Sequence, residues 1–109
     1  MLSTELKFGE VRKLADQVSA NAEKVNVKSL FETSNGGVAL LAFKAGQALS
    51  EHMATAEVMV NVLEGRIDFT MLGTSHTINA GEFLLMGAEV LHSVRAIEDS
   101  KVMLLKVKP

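Results

Sequence analysis

Apolar and polar residues alternate with a period of two along most of this chain, and turn residues interrupt the alternation at short intervals. In residues 23–31, Val25, Val27 and Phe31 alternate with Lys24, Asn26 and Lys28, which predicts a strand buried on one face. Asn35-Gly36-Gly37 is a tight-turn sequence that should fold this strand onto residues 38–45 as a hairpin. Residues 46–55 read as a loop. Residues 56–65 place Val58, Val60 and Val62 on one face and Met59 and Leu63 on the other, so this strand should be covered on both sides. Gly65, Gly73-Thr74 and Asn79-Ala80-Gly81 then separate strands at 66–72, 75–78 and 82–86. Strands at 90–97 and 101–108 follow, divided by the polar turn Glu98-Asp99-Ser100. Helical spacing occurs once, where Val11, Leu14, Ala15 and Val18 fall on one face of residues 10–19, predicting a short helix or helical turn.

About eight short strands with regular turn signals predict an all-β sandwich or barrel. A closed barrel or jelly roll is favoured because it leaves few open edges. With 109 residues the chain reads as one domain, residues 1–109. Its barrel core spans about 37–108, preceded by the helical turn and first strand at 10–33. The composition is 48% hydrophobic, more than so small a domain can bury alone, which points to self-association. A homodimer through the outer face of strand 57–63, with Met59 and Leu63 in the contact, is the expected form.

Charge and composition then remove function classes. The formal net charge is −2 and the basic residues are scattered, so no nucleic-acid surface is expected. No apolar run approaches the length needed to span a bilayer. The N-terminus lacks the basic start and apolar stretch of an export signal, and a cytoplasmic location is expected. There is no cysteine, so disulfides, thiolate metal sites and cysteine nucleophiles are excluded. Met53, Met59, Met71, Met86 and Met103 share no repeated spacing and read as gap-filling core residues rather than soft-metal ligands. His76 matches no motif position and reads as exposed.

Two spaced motifs carry chemistry. Gly46, His52, Ala54, Val58 and Gly65 match the frame G-x5-H-x-H-x3-E-x6-G in full register, with alanine at the second histidine and valine at the glutamate. Gly81, Gly87, Glu89, His92 and Ala96 match G-x5-P-x-G-x2-H-x3-N, with histidine alone keeping its identity after the opening glycine. In this the chain resembles the cupin family, over roughly residues 37–108, and the resemblance implies a double-stranded β-helix of the RmlC-like type. Cupins commonly hold a divalent metal on the histidines and glutamate of these motifs. Carried over residue by residue, His52 and His92 remain from that ligand set.

Glu57 stands one residue before the glutamate position. Alternation turns it away from the barrel interior, whereas a bulge would turn it inward. With it, His52, Glu57 and His92 would form a two-histidine, one-carboxylate set suited to Fe, Mn, Ni or Zn. Two functions follow. One is a binding barrel taking a small molecule among Val58, Val60, Val62, Leu84, Met86 and Val94, with a weak or altered divalent-metal site. The other is a metal-dependent dioxygenase, isomerase or lyase acting on a small organic substrate.

Overall fold

Each run of Val, Ile, Leu and Phe bounded by turn residues becomes a strand in the computed structural model, which describes residues 1–109. The nine strands are β1 (Asn26–Thr33), β2 (Gly36–Phe43), β3 (Ala48–His52), β4 (Glu57–Glu64), β5 (Arg66–Met71), β6 (Thr74–Asn79), β7 (Phe83–Met86), β8 (His92–Ala96) and β9 (Ser100–Val107). They form a five-stranded sheet in the order β1-β2-β9-β4-β7 and a four-stranded sheet in the order β3-β8-β5-β6. Neighbours are antiparallel throughout, and the two sheets face each other as a jelly roll. No helix is long and apolar enough to cross a membrane.

The core lies between the sheets. Leu41 and Phe43 from β2, Val60 and Val62 from β4, Ile67 and Phe69 from β5, and Val102 from β9 meet there. Burial of side chains of this size contributes roughly 1.5–3 kcal/mol each. The chain changes sheets between β4 and β5 at Gly65, where φ is +82° and a Cβ would lie 2.2 Å from the Asp99 carbonyl oxygen. Only glycine fits this corner.

β2 has no polar alternation because both of its faces are covered. Val38, Leu40 and Ala42 point to the outside of the five-stranded sheet and form a second cluster with Leu30 and Val18. Val18 comes from the N-terminal segment, which crosses this face and is tied down by hydrogen bonds. Thr4 Oγ1 donates to the Leu30 carbonyl (2.6 Å), and Lys101 Nζ donates to the Ala15 carbonyl (2.6 Å).

Two sequence expectations change here. The helix expected over residues 10–19 shrinks to a 3-10 turn at Leu14–Gln17, with Val11 fully exposed and only Val18 buried. So short a segment cannot sustain a helix by itself, and its anchors are tertiary. The loop expected over 46–55 contains β3, whose polar sequence ALSEH hides its pairing with β8.

Candidate functional site

β3 places His52 by means of an irregularity. In the β3–β8 ladder Leu49 pairs with Val94 and His52 pairs with His92, so three steps along β3 match two along β8. Regular alternation from the inward Leu49 would direct Glu51 into the barrel and His52 out of it. The extra residue reverses that parity. His52 therefore sits directly opposite His92, with ring centroids 4.1 Å apart. His92 is buried and its ring lies nearly parallel to Phe69, at 5.4 Å between centroids.

Both imidazoles are oriented by the backbone. The Nδ1–H of His52 donates to the Ser50 carbonyl (2.7 Å), and that of His92 to the Val90 carbonyl (2.9 Å). A carbonyl can only accept, so in the neutral ring the proton is fixed on Nδ1 and the Nε2 lone pair stays free. The loops carrying the two motifs are joined by the Glu89 N–H, which donates to the Ala54 carbonyl (2.7 Å). Glu89 has φ +60°, which accounts for glycine at this place in the motif frame, since a side chain there is strained.

The pair opens onto a cavity of about 280 Å³ between the sheets. Val58, Val60, Met86 and Val94 line it as the sequence suggested, whereas Val62 and Leu84 pack in the core away from its walls. Leu41, Leu49, Ile67, Phe69 and Leu104 complete the apolar wall, and Lys106 reaches the same space. The sequence did offer a signal for Lys106. It follows Val102 and Leu104 at a spacing of two, which places all three on the inward face of β9. His76 is half-buried opposite Phe69 rather than exposed, and it does not reach the cavity.

Glu57 is not brought to the histidines. It is exposed at the start of β4 and borders a separate groove on the outer face of the five-stranded sheet. Ala54 and Val58 hold the two remaining ligand positions of the first motif, and both line the cavity without a donor atom. No group of three or more His, Asp or Glu side chains is placed to hold an ion. A divalent site generally takes three or four protein ligands, so two imidazoles do not fit a resident metal.

No protein-family model matches the chain, and no curated protein matches it. Solved structures do. A cupin superfamily protein from Desulfitobacterium hafniense is 17% identical with a TM-score of 0.87, covering 95% of each chain. An RmlC-like cupin protein from Desulfovibrio desulfuricans is 27% identical with a TM-score of 0.80, covering 90% of this chain and 95% of that one. A cupin 2 conserved barrel domain protein from Leptotrichia buccalis is 28% identical with a TM-score of 0.82, over 87% of this chain and 46% of that one. The two-sheet topology, the motif spacing and these likenesses agree, and the chain has the cupin fold, as a small RmlC-like barrel.

Proposed function

We propose that this cupin-fold protein is a binding barrel that takes a small, largely apolar molecule into the cavity between its sheets. The observation that supports this most is the cavity itself. Its wall is aliphatic and aromatic, and its polar side chains are the paired imidazoles of His52 and His92 together with Lys106. Pockets for small molecules have this composition, and a volume of 280 Å³ lies near the lower end of their range. Titration with hexan-1-ol, followed by amide NMR, tests the reading. Shifts should concentrate at Phe69, His92 and Val94, and Ala54→Phe at the mouth should weaken binding. Absence of saturable shifts in the folded parent chain would sink the proposal.

The metal-dependent alternative has in its favour the two free Nε2 lone pairs. It lacks a third protein donor, and we place it second for that reason. Elemental analysis decides the order. About one Fe, Mn, Ni or Zn per chain in the parent, lost in His92→Ala, would reverse it.

We also propose that a second copy of the chain covers the bare part of the outer face of the five-stranded sheet. Leu85, Met59 and Leu105 stand side by side there across three paired strands. Val107 and Phe83 flank them, both more than half exposed. Leu63, expected in this contact, is instead packed beneath the N-terminal segment. Aliphatic surface of this kind is ordinarily removed from water by association.

A further inference from the structure

We infer that the cavity is an anion site, taking a small aliphatic carboxylate whose charged end pairs with Lys106 and whose tail lies against the apolar wall. This rests on the binding-barrel reading and gives that reading a ligand class.

Lys106 is placed by the sheet. It pairs with Val58 of β4, an inner-wall residue, so its side chain shares the inward face. On its other side it pairs with Gly37 of β2, which has no side chain to close over it. The ion pairs of the molecule are Arg12–Glu10, Lys44–Asp99 and Arg66–Glu98, and Lys106 belongs to none of them. No aspartate or glutamate lines the cavity. Its polar groups are two imidazoles and one ammonium, all nitrogen.

The ammonium is the one charged group among them and favours an anion, while the imidazoles offer Nε2 lone pairs and take no part in holding a carboxylate. A single uncompensated positive charge at the rim of a low-dielectric pocket focuses its field inward. An ammonium–carboxylate hydrogen bond formed there is charge-assisted and stronger than a neutral one. The positions where a metal-binding cupin would carry further ligands are Ala54 and Val58, and both add to the apolar wall. The tail has a limited length. At roughly 30 Å³ for a packed group the size of a water molecule, the cavity holds about nine non-hydrogen atoms. Hexanoate, with its six carbons and two oxygens, is of that size.

The test is calorimetric titration of the full chain with sodium hexanoate and with hexan-1-ol, with amide NMR locating each ligand at Phe69, His92 and Val94. Lys106 is exposed, so Lys106→Met should fold as the parent does. Hexanoate should bind about tenfold more tightly than the alcohol and weaken with added salt, as paired charges do. Lys106→Met should lower hexanoate affinity about tenfold and leave the alcohol unchanged. Equal affinity for the two ligands would overturn the anion site while leaving the binding barrel standing. So would a Lys106→Met chain that holds hexanoate as well as the parent. Failure of both ligands to bind the folded parent would overturn the two readings together.

Discussion

The outer faces of the two sheets are built on opposite chemistry. On the four-stranded sheet the outward rows are Arg66 with Asn79, Asp68 with Thr77 and Arg95, and Thr70 with Ser75 and Ser93. All are polar, and Thr77 Oγ1 donates to Asp68 Oδ1 (3.0 Å) across the strands. On the five-stranded sheet the outward residues of β2, β4 and β9 are mainly Val, Leu and Met. The N-terminal segment covers one half of that face through Val18, and the other half stays open around Leu85, Met59 and Leu105. A sheet face facing water needs no cover, and a polar pattern identifies it. An apolar outer face needs one, which this chain supplies only in part.

The covered half offers the largest test. Leu40 is fully buried beneath the N-terminal segment, and Leu40→Ala should cost about 2–5 kcal/mol in denaturant unfolding. A loss under about 1 kcal/mol would mean that the segment is not a working part of the core. The open half comes next. Leu85→Lys should convert dimer to monomer in light scattering, and because Leu85 is 69% exposed the monomer's own stability should change by no more than about 0.5 kcal/mol. A parent that is monomeric at high concentration would remove the dimer. On the polar sheet Asp68→Ala should change stability by at most about 0.5 kcal/mol, and a larger loss would show that this face is also structural.

The smallest effect lies in the turn that carries the chain from one sheet to the other. The backbone and side-chain N–H groups of Asn79 both donate to Glu82 Oε1, at 2.8 and 2.9 Å. They hold its carboxyl below the usual carboxylate range, the backbone bond contributing most. A lowered folded-state value means stabilisation that is present above the ordinary carboxylate value and fades as pH falls through the lowered one. Glu82→Gln should therefore flatten the acid limb of a melting-temperature profile slightly. An unchanged acid limb would show that solvent screens the contact fully.

How much of this was written in the sequence depends on where the alternation is regular. β4 shows it plainly, and the structure has the two faces read from it, with Val58, Val60 and Val62 inward and Met59 and Leu63 outward. Motif spacing alone brought His52 and His92 together. β3 was invisible because Leu49 is its only large apolar residue and its bulge breaks the period between Leu49 and His52. Lys106 was passed over because a lysine near the end of a strand ordinarily faces solvent. The helical stripe Val11–Leu14–Ala15–Val18 was real as a pattern, but the sheet offers a place to Val18 alone.

The strand order carries a consequence for biosynthesis. β9, last in the chain, lies in the middle of the five-stranded sheet, between β2 and β4. Before it emerges, the β1–β2 and β4–β7 pairs have no strand to join them, and Val18 has only part of the surface it finally covers. The sheet must then assemble after translation has passed every other strand, from contacts far apart in sequence. Closure of such distant pairings is slow, and the apolar rows of β2 and β4 stay exposed while they wait. Chaperone demand during synthesis should therefore depend more on the rate of β9 insertion than on the stability of the finished barrel.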